Sequence, residues 1–404
     1  MPMPPHDRPL SSPGVPMTLH NTALDDIPLS VFDDIEKRIA QLKHPHFLRL
    51  HQGKSTFAPC ARMHDWQHSD FALRAHEHAP PGGIPMLRRR IVEHLREQAR
   101  QEVREDHVVI TCGATHGIGS ALRAMLQPGD EVLIMSPQWL FVTGLVRAAG
   151  GRPVEVPVFQ ELSRDRNFDF VAALQAAVTP RTRAIYFNTP NNPTGFSLDR
   201  EAQERLARFA RRQDLWLISD NAYALYDFTE PGFVDISQLP DAADRTFSVH
   251  SFSKTYAMPG YRVGFVVAPE GMALRMKKWG LYSLYSLASA SQYGAFQALG
   301  TPPDVLESHR ARAREARDIT MRELQVPCTR VEGGFYTFLD LSQWQHGSET
   351  EFFARAIAAG VSVAPGIAFG QHCQKSARLC FTAVGHEDLR IAIQRLNAVY
   401  NTAP

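Results

Sequence analysis

Residues 246–268, TFSVHSFSKTYAMPGYRVGFVVA, place a polar loop between two apolar runs. The runs are rich in β-branched and aromatic side chains, which is typical of strands, and the loop between them carries Lys254. Four earlier runs have a similar composition, at residues 107–111, 131–136, 183–188 and 215–219. Because helical stretches alternate with these runs, the sequence predicts an α/β fold with a mostly parallel sheet covered by helices on both faces.

The pattern changes after residue 285, where long helical stretches are followed by short strands near 335–339 and 377–383. We therefore predict a large domain over residues 76–285 and a smaller α+β domain built from residues 27–75 and 286–404. Six prolines occur in the first sixteen residues, without the apolar segment of a signal peptide. Residues 1–26 are accordingly predicted to be a disordered lead.

Positive and negative charges nearly cancel, since 43 Lys and Arg stand against 42 Asp and Glu for a formal net charge of +1. A chain this neutral lacks the general field that holds nucleic acid or an anionic membrane, so neither is expected as a partner. No apolar run reaches the roughly 18 residues of a membrane span. The five cysteines contain no CxxC pair, which argues against a disulfide framework and favours a reducing, cytoplasmic compartment.

Polar residues that follow the predicted strands form the candidate site, because ligands of parallel α/β sheets bind at the carboxyl ends of the strands. Lys254 follows a strand, lies between Ser251 and Ser253, and precedes Arg262 by eight residues. This arrangement could set an amine nucleophile beside a phosphate group. A lysine on an exposed loop would show the same spacing, so the motif alone leaves both interpretations open.

Three further motifs follow strands. NTPNNPTG (188–195) is a turn fixed by proline and glycine, DNAY (220–223) sets a carboxylate at a strand end, and TCGATHG (111–117) opens a helix whose free amides suit a phosphate. Each also fits a plain turn, a strand-end cap or an ordinary helix start. Their candidate residues are Asn192, Asp220, Tyr223, Gly113, Ala114 and Thr115.

Taken together and in this order, the motifs resemble those of the class I/II aminotransferases, fold-type-I enzymes that use pyridoxal 5′-phosphate (PLP). SFSKTYAMPGYRVGF (251–265) is the most specific match, with NNPTG (191–195) and SDNAY (219–223) ahead of it. The resemblance extends from about residue 48 to 398. It implies a mostly parallel seven-stranded sheet between helices, with a smaller α+β domain beside it.

The resemblance also implies roles for single residues. Lys254 would form the Schiff base with PLP and afterwards move a proton at the substrate Cα. Asp220 would pair with the pyridine nitrogen, while Asn192 and Tyr223 would hydrogen-bond the phenolic oxygen. The catalytic set is thus Lys254, Asp220 and Tyr223.

Around this set, the resemblance places a ring-stacking residue, a phosphate site and a substrate site. Trp139, in SPQW (136–139), would stack on the cofactor ring. Arg378, in ARLCFTA (377–383), would grip the substrate α-carboxylate with two parallel hydrogen bonds, and Gly53 and Asn192 would approach the substrate. The phosphate would be held by Gly113, Ala114, Thr115, Ser251, Ser253 and Arg262.

The sequence departs from the family pattern at two places. His78 stands where many relatives carry a tyrosine that reaches the phosphate of the partner subunit, so we expect a homodimer in which His78 crosses over. HQGKSTF (51–57) replaces the usual N-terminal GEPDF, so the edge facing the substrate differs. The histidine pairs at 64/68 and 76/78 lack a third ligand, and no metal site is predicted.

We therefore expect an aminotransferase that moves the amino group of an L-amino acid to a 2-oxo acid by a ping-pong mechanism. A β-lyase, cyclase or hydroxylase of the same fold stays open as an alternative, because the protein decides which bond of the PLP adduct breaks. A ligand-sensing regulator is disfavoured, since 26 residues are too short for a DNA-binding module. The aromatic, neutral stretch 279–287 and the lack of an obvious second arginine favour a neutral, apolar or aromatic substrate side chain.

Overall fold

The computed structural model describes residues 25, 27, 31–99 and 102–402 of the chain. The disordered lead predicted for residues 1–26 lies almost wholly outside these described residues. Within them, none of the helices combines the length and the apolar character that crossing a membrane requires.

Most strands are short and buried. In chain order they are β1 (Leu48–Arg49), β2 (Val108–Thr111), β3 (Glu131–Met135), β4 (Arg152–Val156), β5 (Thr182–Asn188), β6 (Trp216–Asp220), β7 (Thr246–Ser251), β8 (Gly264–Val267), β9 (Tyr336–Asp340), β10 (Val361–Ser362), β11 (Ala364–Pro365) and β12 (Ser376–Cys380).

Helices alternate with these strands. They are α1 (Val31–Leu42), α2 (Asp70–Arg74), α3 (Pro85–Ala99), α4 (Gly113–Met125), α5 (Val142–Ala148), α6 (Val158–Arg164), α7 (Phe170–Ala177), α8 (Arg200–Arg212), α9 (Phe252–Thr255), α10 (Met272–Ser283), α11 (Ser289–Ala298), α12 (Pro303–Glu323), α13 (Glu349–Ala358) and α14 (His386–Asn401). Short 3-10 helices cover Ala61–His68, Glu105–His107, Ala224–Tyr226, Ile236–Gln238, Pro259–Tyr261 and Gly366–Phe369.

The large sheet has seven strands in the order β2-β8-β7-β6-β5-β3-β4, which confirms the predicted fold class. Its strands are parallel except β8, which pairs antiparallel with both β2 and β7. The six predicted strands are present. The seventh strand, β4, is not among those that the sequence predicts, because this edge strand carries Arg152, Pro153 and Glu155 and so lacks the apolar signature of a buried strand.

Both faces of this sheet are covered by helices. On one face, Leu133, Ile185 and Leu217 pack in a cluster with residues of α6, α7 and α8. On the other, the neighbouring positions Ile134 and Ile218 pack with residues of α4, α5 and α10. Each fully buried side chain of this size contributes about 1.5–3 kcal/mol. This two-sided burial is why the strands are apolar throughout and why the polar residues concentrate at their ends.

A second, antiparallel sheet in the order β11-β12-β9 packs with α12, α13 and α14 in a separate cluster. α1 has contacts with α13 and β11, and β1 pairs in parallel with β10. Both ends of the chain therefore contribute to this smaller unit. Tyr223 and Tyr226, which follow β6 of the large sheet, also belong to its core cluster, so the two units meet beside the strand ends.

Two segments near the predicted domain boundaries pack on the large sheet. The 3-10 helix Ala61–His68 lies along α11, and Met63 and Ala295 share a cluster with Val108 of β2 and Val267 of β8. The domain boundaries at residues 75/76 and 285/286 remain proposals. The packing indicates that the segments around Met63 and α11 belong with the large unit.

Gly264, at the start of β8, lies against the backbone of the first residues of α4. A Cβ at this position would lie 2.6 Å from His250 O, 2.9 Å from Gly113 C and 3.0 Å from Ala114 N. All three are backbone atoms that cannot rotate away, so Gly264→Ala is expected to lower the free energy of unfolding by about 1–3 kcal/mol. Urea unfolding measures this change.

Gly280→Ala is the matched control. Gly280 lies inside α10, and a Cβ there would meet nothing within 4 Å, so this variant should be neutral or gain up to about 1 kcal/mol from helix propensity. Equal unfolding curves for Gly264→Ala and the parent chain would contradict the close approach of β8 to α4.

Candidate active site

The predicted polar residues meet at the carboxyl ends of β5, β6 and β7. Asn188 and Asp220 are paired across β5 and β6, and Asp220 is in turn paired with Val249 of β7. A cavity of about 160 Å³ opens there. The structure brings the following predicted residues to its wall: Ala114, Thr115, Trp139, Asn192, Asp220, Tyr223, Ser251, Ser253, Lys254 and Arg262.

Lys254 lies at the end of β7, on the single turn of α9. Its Nζ donates a hydrogen bond of 2.5 Å to Gly53 O, so the N-terminal segment lies next to the lysine. Burial lowers the pKa of Lys254 to about 8, with the positive charges of Arg378 and Arg262 acting in the same direction and Cys380 against them. A sizeable fraction of this amine is therefore neutral near pH 8, as a nucleophile requires.

Asp220 is 5% exposed and has no lysine or arginine partner among the described ion pairs. Tyr186 Oη donates to its Oδ2 at 3.0 Å, and the Ala222 amide donates to its Oδ1 at 3.2 Å. Burial nevertheless raises the pKa of Asp220 to about 6, against the effect of these bonds and of His250. A buried carboxylate in this state would be stabilised by a cationic group on a ligand, such as a protonated ring nitrogen.

The NNPTG turn is held by its own side chains. Asn188 Oδ1 accepts from the Asn192 amide at 2.7 Å, and Asn188 Nδ2 donates to Asp220 O at 2.7 Å. Asn191 Oδ1 accepts from both the amide and the hydroxyl of Thr194, at 3.0 and 2.8 Å. These bonds fix the position of Asn192 relative to Asp220, so its amide is presented rigidly to the cavity.

Arg378 is 2% exposed and lies in β12 of the smaller sheet. Its Nη1 donates to Asn192 Oδ1 at 3.1 Å and its Nη2 to His51 O at 2.6 Å, while its Nε has no partner among the described residues. The guanidinium carbon lies 4.4 Å from the ring centre of Tyr336 and 4.7 Å from that of Phe369. A buried cation with an unsatisfied donor is suited to bind a carboxylate.

An anion-binding corner lies where α4 begins. Gly113 has φ +72°, and a Cβ there would lie 2.5 Å from Arg262 Nη2, so the backbone and the guanidinium approach closely. Ala114 and Thr115 stand in the first turn of this thirteen-residue helix, whose free amides and dipole favour a negative charge. With Ser251 and Ser253 on the same wall, the corner fits a phosphate group.

His78 does not line the cavity. Its exposed ring packs edge-on against Tyr285 with the ring centres 5.0 Å apart. The crossing of His78 to a partner subunit remains a prediction. As for metals, the described part of the chain contains no cluster of three or more candidate ligands, and His64 instead contacts the hydroxyl of Tyr261 at 3.2 Å.

Sequence reasoning missed several residues that shape the site. Tyr186 is hydrogen-bonded to Asp220, His51 supplies a carbonyl to Arg378, and Tyr336 lies between Arg378 and Tyr223. A tyrosine two residues before a polar strand end was the available signal for Tyr186, since alternate residues share a face. Tyr336 and His51 carry no comparable signal, because only the folded chain brings them to the large sheet.

Comparisons with known proteins agree with this geometry. The family model described as aminotransferase class I and II matches residues 56–396. An arginine–pyruvate transaminase of Pseudomonas aeruginosa is 36% identical over 320 residues, covering 78% of this chain and 80% of the relative. A probable aspartate/prephenate aminotransferase of Aquifex aeolicus is 34% identical over 307 residues, covering 73% and 76%.

Solved structures give the same result. A double mutant of the Thermus thermophilus aspartate aminotransferase superimposes with a TM-score of 0.87 at 28% identity, covering 94% of this chain and 99% of that one. The aspartate aminotransferase from Rhizobium meliloti also reaches 0.87, at 26% identity and with 95% and 98% covered. Because the family model and these relatives cover most of the sequence and the solved structures share its fold, the chain belongs to the family of class I and II aminotransferases.

Proposed function

We propose that this enzyme moves the amino group of an L-amino acid to a 2-oxo acid in a ping-pong cycle, with PLP bound to Lys254 as a Schiff base. The observation that carries the proposal is a single cavity whose wall holds Lys254, the buried carboxylate of Asp220 and an anion-binding corner, with the guanidinium of Arg378 near enough to lower the pKa of Lys254. PLP, when bound, supplies an electron sink that lowers the cost of removing the substrate Cα proton.

The large unit would hold the cofactor. Asp220 would pair with the pyridine nitrogen, and its raised pKa supports this role because a cation removes the cost of burying the carboxylate. Tyr223 and Asn192 would hydrogen-bond the phenolic oxygen, and Trp139 would stack on the ring. The phosphate would bind at the start of α4, held by Gly113, Ala114, Thr115, Ser251, Ser253 and Arg262.

The smaller unit would hold the substrate. Arg378 would bind the α-carboxylate through Nε and Nη, and Gly53 and Asn192 would border the amino acid. Lys254 would move a proton from the substrate Cα to the cofactor C4′ in the first half of the cycle and in the opposite direction in the second, because its pKa near 8 lets the amine act as a base at neutral to mildly basic pH.

The side chain of the amino-acid substrate is proposed to be neutral. The relatives are named for acidic, basic and aromatic substrates, so their names alone favour none of these. Phe32 and Phe369 flank the guanidinium of Arg378, with centroid distances of 5.6 and 4.7 Å, and Leu140 packs with the same cluster. An apolar wall of this kind favours an apolar or aromatic side chain.

A homodimer in the cytoplasm completes the proposal. Tyr282, Leu284 and Tyr285 are exposed large side chains, of which Tyr285 packs against His78, and they do not line the cavity of their own protomer. A partner subunit would cover them and would receive His78 at its phosphate corner.

Lys254→Ala should lower turnover by at least about 10³-fold, since it removes both the Schiff base and the base that moves the proton.

Arg378→Lys should raise the KM of the amino donor by roughly 10- to 100-fold while the fold is kept, since a lysine cannot form the paired hydrogen bonds. A matrix of amino donors and oxo acceptors, followed at the cofactor absorbance band, measures both effects.

Lys277→Ala is the control for these variants, because Lys277 lies on α10 and donates to Asp106 O at the surface. Its turnover should equal that of the parent enzyme. Release of ammonia without any need for an oxo acceptor would contradict amino transfer and would favour elimination.

Asp220→Asn should stabilise the cofactor-free protein at pH 8 and weaken PLP binding. The folded-state pKa of Asp220 is raised from 3.8 to about 6, so the folded state loses stability as the pH rises through that range, by roughly 2–3 kcal/mol. Asparagine has no charge to bury and should regain that free energy at pH 8 but not at pH 4. Urea unfolding at the two pH values measures the difference.

Asp235→Asn is the matched control, because Asp235 is as buried as Asp220 and accepts a hydrogen bond of 3.1 Å from Nδ2 of Asn221, the residue after Asp220. Although burial acts to raise it, the pKa of Asp235 is lowered by His250, by the Ser248 hydroxyl and by the Ser237 amide. Its substitution should therefore destabilise the protein at pH 8. Destabilisation by Asp220→Asn at pH 8 would show that its carboxylate is already compensated within the protein.

The proposed dimer predicts a particle of twice the 45.2 kDa chain mass in sedimentation or light scattering. Tyr285→Glu should shift this equilibrium towards monomer and reduce activity, because the charge would be placed in the covered patch. A fully active monomer would contradict the crossing of His78.

A further inference from the structure

Tyr336 joins two residues that the proposed function assigns to different ligands. It lies in β9 and is 1% exposed, with its ring centre 4.4 Å from the guanidinium carbon of Arg378. Its Oη is 2.5 Å from Tyr223 Oη. Arg378 belongs to the substrate side and Tyr223 to the cofactor side, so Tyr336 is in contact with both.

The antiparallel register explains how one residue reaches both sides. In the β9–β12 pair, Arg378 is opposite Phe338 and Cys380 is opposite Tyr336. Tyr336 is thus the diagonal neighbour of Arg378 on the same face of the smaller sheet, a distance that long side chains span. Its hydroxyl then extends to the large unit, where Tyr223 follows β6.

Only one of the two phenol protons can lie between the paired oxygens. Tyr223 lines the cavity around Lys254, whereas Tyr336 is not part of that wall. At Gly53, a Cβ would lie 2.5 Å from Tyr336 Oη, so this oxygen is enclosed on that side. If Tyr336 donates to Tyr223, the hydroxyl proton of Tyr223 can be directed at a ligand in the cavity. If Tyr223 donates instead, the hydroxyl proton of Tyr336 would point at the surrounding protein.

The charges at the site favour the same assignment. Burial raises the pKa of Tyr336, and the positive charge of Arg378 is the next influence and lowers it. For Tyr223, burial and the neighbouring Tyr336 both raise the pKa, and Arg378 has a smaller opposing effect. A phenol in contact with a cation is the more acidic of a pair and hence the better hydrogen-bond donor.

We propose that Tyr336 is a positioning residue that donates its hydroxyl proton to Tyr223 Oη, so that the proton of Tyr223 is directed at the phenolic oxygen of the cofactor. The inference rests on the proposed function, because it requires PLP at Lys254. A hydroxyl that accepts one hydrogen bond becomes a stronger donor in the next. Tyr336 thus strengthens the bond from Tyr223 that favours the deprotonated form of the cofactor–lysine linkage.

The hydroxyl and the ring of Tyr336 have separable effects. Tyr336→Phe keeps the ring over Arg378 and removes only the donor to Tyr223. Tyr336→Leu removes both, so it should also weaken the binding of a simple monocarboxylate by about 3- to 30-fold, the range of a buried cation–π contact. The phenylalanine variant should bind that monocarboxylate like the parent enzyme.

The test is a spectrophotometric pH titration of the cofactor–lysine band in the holoenzyme. Parent enzyme, Tyr336→Phe, Tyr223→Phe and the double variant are compared, each checked for cofactor content and circular dichroism. Tyr336→Phe should raise the midpoint by roughly 0.2–0.5 pH units, because it removes the strengthening of the Tyr223 bond while the bond itself is kept. In the Tyr223→Phe background the same change should cause no further shift, because its target is absent.

Tyr293→Phe is the control, since Tyr293 is a buried tyrosine of α11 whose ring stacks on Phe71 at 4.7 Å, away from the cavity. Its midpoint should equal that of the parent. An unshifted midpoint in Tyr336→Phe, or the same shift with and without the Tyr223 hydroxyl, overturns this inference alone. A parent protein that binds PLP without forming the band overturns the proposed function and this inference with it.

Discussion

A buried carboxylate without a cation is the constraint on which the site depends. Asp220 ends a strand of the large sheet, where apolar packing on both faces keeps water away. Tyr186 and the Ala222 amide supply hydrogen bonds, but they leave its pKa raised to about 6. The fold alone therefore carries an electrostatic cost that a cationic ligand group removes, which links cofactor binding to stability.

The rest of the site is assembled from two units that meet over this carboxylate. Arg378 comes from the smaller sheet, yet one of its hydrogen bonds is to Asn192 of the large unit. Lys254 of the large unit donates to Gly53 of the N-terminal segment. Because Arg378 and Lys254 are each held by a partner from the other unit, the position of the smaller unit determines the geometry of the substrate site.

The sequence predicts the features that depend on local pattern, namely the buried strands and the polar residues that follow them. It does not predict contacts between residues that are distant in the sequence. Six strands of the large sheet were predicted because burial leaves an uninterrupted apolar run, whereas β4 was missed because Arg152, Pro153 and Glu155 interrupt such a run. Lys254, Asp220 and Asn192 were found because each follows a strand. Tyr336 could not be found in this way, since its partners Tyr223 and Arg378 are distant in sequence and nothing in its own segment indicates them.

The cations that would hold the ligand also control the lysine. Arg378 and Arg262 both lower the pKa of Lys254 below the effect of burial alone. A substrate carboxylate at Arg378 and a phosphate at Arg262 would cancel these charges, so the pKa of the released lysine would rise once both anions are bound. Lys254 would then be a weak base in the empty cavity and a stronger base when a substrate Cα proton is present. A formal net charge of +1 for the whole chain gives no indication of this arrangement, because it depends on two arginines near Lys254, of which Arg378 is buried and Arg262 stands at the cavity wall.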